Sequence, residues 1–153
     1  MSFIKELAIS IPLVIIVALI ATHFVVVPTG SMVPSIKEGD MVLAEKVDVL
    51  GLFGEFNPEN IQKGDIIIYD DLNSSNEENA DSSHGDNEKV IHRVVAINES
   101  NGEKYFTLKG DANNETDDEA VQPSEIEGKV VTWNGNPIVI PEIGWLILWF
   151  NGQ

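Results

Sequence analysis

The chain has 153 residues, no cysteine, 9 Lys+Arg against 25 Asp+Glu, and a formal net charge of −16. With Arg93 as the only arginine, nucleic-acid binding is excluded as a default, because phosphate contact needs clustered Lys and Arg. The missing cysteines exclude disulfides, thiolate metal sites and a cysteine nucleophile.

The mean hydropathy of +0.01 averages an apolar amino-terminal run with an acidic remainder. From Leu7 to Val27 only Ser10, Pro12, Thr22 and His23 interrupt the apolar residues. The 21 residues of this run suit the roughly 20 needed to cross a bilayer. They exceed the about 7–15 of a cleaved signal peptide's apolar region, and no small-x-small site precedes Pro28. Residues 1–27 are therefore read as a short cytoplasmic start and one transmembrane anchor. Lys5 lies on one side and the next lysine is Lys37, which favours the amino terminus inside. Residues 28–153 would then form an extracytoplasmic domain, in which Asn73, Asn98 and Asn114 head glycosylation sequons.

After Pro28, short β-branched runs alternate with Gly-Asp and Asn-Gly turn signals, which predicts a mainly β domain. The expected strands are Met41–Lys46, Asp65–Tyr69, Val90–Ile97, Tyr105–Lys109, Gly128–Trp133 and Ile138–Ile140. Gly51-Leu-Phe-Gly and Asn57-Pro-Glu-Asn read as loop with at most one short helical turn. The tract from Asp70 to Glu88 has seven acids and almost no apolar residue, too little to fix itself by burial, and is expected to be a mobile surface loop. Trp145-Leu-Ile-Leu-Trp-Phe150 is too short to span; it suits a core or edge strand, or contact with a membrane interface, where Trp is enriched.

Three Lys–Gly-Asp sites recur, at Gly39-Asp40, Gly64-Asp65 and Gly110-Asp111. The first two lead into apolar strands, as turns do. The third opens into Ala112-Asn-Asn-Glu-Thr-Asp117-Asp118, a polar loop, and so is a better candidate for function. Of three histidines, His92 interrupts a strand and shares a face with Val90, Val94 and Ala96; a hydrogen-bonded core histidine is the simpler account, and no second ligand is spaced for a metal. Ser31 lies in Pro28-Thr-Gly-Ser31-Met-Val-Pro34-Ser35, where Gly30 permits close backbone approach and Pro34 restricts Val33. The segment suits either an exposed serine or a linker leaving the membrane. Serine needs a base, and the base needs a third group to orient it; Ser31, His92 and an aspartate of the 111–118 loop would supply these roles.

The ordered set Gly30-Ser31-Met32-x-Pro34, Gly39-Asp40, Gly64-Asp65-Ile-Ile, Ile91-His92-Arg93-Val94-Val95, and Lys109-Gly110-Asp111-Ala-Asn113 with Asp117 resembles the type I signal peptidase family. The histidine before Arg-Val, where the usual bacterial enzymes carry lysine, is similar to the archaeal and endoplasmic-reticulum branch. The resemblance implies a single β-rich peptidase domain behind one transmembrane helix. In it Ser31 is the nucleophile, His92 the general base, Asp117 a member of the catalytic set and Asp111 its support. Thr29, with the Ser31 N–H, is implied for the oxyanion hole. No cofactor is implied, and the partners are secretory preproteins and membrane lipid; accessory subunits are not named by the sequence. Asp118 directly follows Asp117, so either carboxylate could face the imidazole. Two alternatives stay open: a membrane-tethered, non-catalytic β module, and a self-cleaving repressor-type serine peptidase.

Overall fold

The computed structural model describes residues 2–46, 56–71, 88–144 and 149. Helix α1 (Ser2–Ala21) includes Pro12. It ends earlier than the apolar run does: Thr22 and His23 turn, and Phe24–Val26 form strand β1. β1 pairs antiparallel with β2 (Met41–Lys46), in the register Phe24↔Leu43, Val25↔Val42 and Val26↔Met41, and Val27 is buried in the core.

This corrects the expected anchor over 1–27. Helix α1 stops at Ala21, so Thr22–Val27 of the apolar run lie outside it. Among the described residues no helix is long and apolar enough to cross a membrane. The end of the run serves the sheet instead, because Phe24-Val25-Val26 are residues that pack well on a pleated surface.

The remaining strands are β3 (Ile66–Asp71), β4 (Glu88–Ser100), β5 (Glu103–Lys109), β6 (Ile126–Val130), β7 (Thr132–Trp133), β8 (Asn136–Pro137) and β9 (Val139–Ile140). One antiparallel sheet runs β1-β2-β6-β3-β4-β5, with β9 also on β2, and β7-β8 is a separate hairpin. The expected strand over Gly128–Trp133 is thus divided between β6 and β7. Both hairpin turns are Asn-Gly pairs with positive φ, 56° and 84° at Asn101-Gly102 and 51° and 80° at Asn134-Gly135, as the twist of two-residue hairpins demands. Pro58–Asn60 and Pro123–Glu125 are single 3-10 turns, the first where Asn57-Pro-Glu-Asn suggested one.

Both faces of the sheet are covered. Alternation along β3 sends Ile66 and Ile68 into one core with Val27, Met32, Ile36, Val42, Ala44, Ile91 and Val130. Ile67 and Tyr69 go to the other, with Phe56, Ile61, Val94, Phe106, Leu108, Val121 and Ile126. The Gly51–Gly54 stretch, residues 72–87 of the acidic tract with Asn73 and His84, and most of the Trp145–Phe150 run lie outside the described residues; Trp149 is exposed.

Candidate active site

Residues 27–40 form a loop closed at its neck, where Val27 N–H donates to Asp40 O (2.9 Å) and Gly39 N–H to Val27 O (2.9 Å). Asp40 is buried and accepts from the backbone N–H groups of Lys37 (2.9 Å) and Glu142 (3.2 Å). At the tip, Ile36 N–H donates to Met32 O (3.0 Å), closing a turn that brings these two residues together. Met32 and Ile36 are accordingly both fully buried, while Ser31 and Ser35 are both half-buried at the rim. The Val33–Pro34 peptide is cis. The Ser31 segment is therefore a packed loop, and the linker reading is set aside: its serine is fixed by the methionine that follows. Ser31 Oγ lies 3.3 Å from Thr29 Oγ1.

A second loop leaves β5 at Gly110. It is closed by Asp117 N–H donating to Leu108 O (2.9 Å) and braced by Asn113 N–H to Gly110 O (3.0 Å). The two loops are stitched together where Ala112 N–H donates to Ser31 O at 2.8 Å. Gly110 is required there for space. A Cβ at this position would lie 2.7 Å from Ser31 O and 2.8 Å from Asn113 Nδ2. The glycines at 39 and 64 differ in kind, with φ of 80° and 99° that serve ordinary turns.

His92 is 8% exposed and sits in β4 opposite Ile67 of β3. Its Nδ1 is 2.6 Å from Asp117 Oδ2. In the neutral ring Nδ1–H donates to the carboxylate, which leaves Nε2 as an unprotonated acceptor. The Tyr69 hydroxyl donates to the same Asp117 oxygen at 3.1 Å, with the phenol and imidazole rings 6.5 Å apart and tilted by 58°. Asp118 is exposed, so the carboxylate that meets the imidazole is that of Asp117.

The bonded partners of Asp111 are Arg93 and Ser35. Arg93 takes it bidentately, Nε to Oδ1 at 2.8 Å and Nη2 to Oδ2 at 2.6 Å, and Ser35 Oγ donates to Oδ2 at 2.5 Å. Arg93 also donates from Nη1 to Gly64 O at 3.0 Å. The hydrogen bond from Arg93 holds the Asp111 carboxyl below the usual carboxylate range; burial opposes this, and Ser35 and the positive charge of Arg93 add to it. The bond to Asp111 raises Arg93 in turn, against the desolvation of its own charge. Arg93 alternates with His92 along β4, so it meets Asp111 and Ser35 while His92 meets Asp117.

Of the residues expected from the sequence, the structure therefore joins His92 to Asp117 and Thr29 to Ser31, and it ties Ser31 to the Asp117 loop through Ala112. Among the described residues no hydrogen bond joins Ser31 to His92. Tyr69 and Ser35 were not anticipated as partners. Their contacts depend on the β3–β4 pairing and on loop docking, which no local pattern encodes.

A β-rich domain whose serine-bearing loop is docked on the loop that carries an aspartate to a strand histidine has the parts of a peptidase. The chain matches the signal peptidase, peptidase S26 family over residues 1–101, and it belongs to that family. It is similar to an uncharacterized protein of Methanocaldococcus jannaschii, 28% identical over 181 aligned positions covering 88% of this chain and 87% of the relative. It is also similar to the catalytic subunit of the signal peptidase complex of Plasmodium falciparum. That relative is 27% identical over 135 positions, covering 83% of this chain and 58% of its own length. No solved structure matches the chain.

Proposed function

We propose that this protein is a membrane-attached serine endopeptidase that removes signal peptides from secretory preproteins after small residues, by the Ser-His-Asp chemistry of the archaeal and endoplasmic-reticulum branch. The observation that carries the reading is the 2.6 Å bond between His92 Nδ1 and Asp117, on a loop that also grips the carbonyl of Ser31. Neutral His92, its tautomer and orientation held by Asp117, takes the Ser31 proton at Nε2. The Ser31 oxygen attacks the scissile carbonyl, and the imidazolium then returns the proton to the leaving amine. The Ser31 N–H and the Thr29 hydroxyl receive the oxyanion; one such donor is typically worth about 2.7–4 kcal/mol. The hydroxyl 3.3 Å from Ser31 Oγ supports this assignment. Asp111, paired with Arg93 and Ser35, acts at a distance by fixing the two loops to each other.

Helix α1 supports attachment to lipid. Ile9, Ile11, Leu13, Val14, Ile15 and Val17 are all exposed, an apolar surface suited to contact with a membrane. Only residues 22–30 separate α1 from Ser31. The nucleophile thus works near the bilayer surface.

The reading is tested by adding the detergent-solubilised full chain to a preprotein with an Ala-x-Ala site and measuring product masses. The expected product is the mature protein cut once after the small residue, with His92→Ala producing none. A preprotein left intact by the wild type, or cut equally by His92→Ala, contradicts it.

A further inference from the structure

The hydrogen bonds around Asp117 involve a residue outside the Ser-His-Asp set. We propose that Tyr69 is a positioning residue, whose hydroxyl, donating to Asp117 Oδ2, holds that oxygen where it receives Nδ1–H of His92. This rests on the roles proposed for His92 and Asp117.

The Asp117 backbone is held by its own N–H, which donates to Leu108 O, and that bond does not fix the rotation of the side chain. Its side chain is 18% exposed and that of His92 11%, so bulk water cannot substitute freely for a lost partner. Tyr69 reaches Oδ2 from β3, the strand that carries Ile67 opposite His92, and its ring lies in the core with Phe106 and Leu108. The phenol is thus referenced to the same rigid sheet as the imidazole. Two donors anchored to adjacent strands converge on one oxygen, at 2.6 and 3.1 Å, and two such bonds fix a rotation that one leaves open.

Few other charges bear on His92. Asp117 and Asp111 come from the loop after β5, and Asp111 is matched by Arg93 of β4. Lys129 of β6, in register with Ile67 across β3, is taken up by Asp65 and Glu45 at 3.7 and 3.9 Å. Removing the Tyr69 hydroxyl takes a donor from Oδ2: its charge becomes more available to an imidazolium, and its orientation loosens.

The test is Tyr69→Phe in the full chain, which keeps the buried ring, assayed with the preprotein substrate for kcat, KM and the pH profile. A fall in kcat of about tenfold, the scale of one hydrogen bond to a charged group, is expected. KM should be unchanged and the acid limb of the profile should move to higher pH. A merely structural tyrosine would shift neither the limb nor kcat alone. The same substitution is made in Asp117→Ala, where it should have no further effect, because residues acting through one another are not additive. Full additivity in the double variant, or an unaltered profile and kcat in Tyr69→Phe while Asp117→Ala is severely impaired, overturns the positioning role alone. Full activity of Asp117→Ala overturns the reading beneath it, and the proposal with it.

Discussion

The contact between Gly110 and Ser31 lets the placement of the serine be perturbed without touching its chemistry. In Gly110→Ala the new Cβ meets Ser31 O at 2.7 Å and the Asn113 side chain at 2.8 and 2.9 Å. The asparagine can turn away, but the carbonyl is backbone. Restoring an ordinary contact needs a shift of roughly 0.5 Å or more, since carbon and oxygen pack at about 3.2 Å or beyond. The shift falls on a carbonyl already bonded to Ala112 N–H at 2.8 Å, so that bond stretches past a useful length. Losing it costs about 1 kcal/mol of stability. Misplacing a nucleophile by up to an ångström costs up to about 100-fold in rate. Cleavage of a preprotein should therefore slow by about 10- to 100-fold while the urea midpoint falls only modestly. Wild-type turnover in Gly110→Ala would refute the claim that this loop contact positions Ser31.

Other outcomes follow from the same network. Because Arg93 binds Asp111 with two guanidinium nitrogens, Arg93→Lys should destabilise by about 1 kcal/mol in urea unfolding, whereas a surface pair would change the midpoint little. The Asp111 carboxyl is depressed, so its stabilisation is complete above the ordinary carboxylate range and is lost as pH falls through its lower folded value. The wild type should lose urea resistance below about pH 4, and Asp111→Asn should lose less over that interval; parallel curves contradict this. Met32 is fully buried, and Met32→Ala should cost about 2–5 kcal/mol and release the Ser31 loop, so its cleavage rate should fall further than that of Val42→Ala, a comparably buried site remote from the loop tip.

Much of the fold was legible because short β-branched runs between turn residues admit few readings. Met41–Lys46 is a strand over its whole expected length, and both Asn-Gly pairs are hairpin turns. β1 was hidden because Phe24-Val25-Val26 continues an apolar run, and helix and strand cannot be told apart by hydrophobicity within such a run. Only pairing with β2 decides it. At the site, the neighbouring positions of Asp117 and Asp118 left open which carboxylate meets His92, and the closure of the loop onto Leu108 O resolves that by turning Asp117 inward. Nothing near Asp111 in the chain points to its partners, because Arg93 and Ser35 come from a strand and a loop 18 and 76 residues away. The same holds for Tyr69: a hydroxyl within a strand reveals nothing until the neighbouring strand is in register.

The central claim is that Ser31, activated by His92 and Asp117, is the nucleophile that cuts preproteins. Its most direct measurement compares membranes carrying the wild type with membranes carrying Ser31→Ala in a host background lacking other signal peptidases. The account predicts a mature product from the wild type and only the uncut precursor from the variant, with both proteins present in equal amount. Equal processing by Ser31→Ala contradicts it.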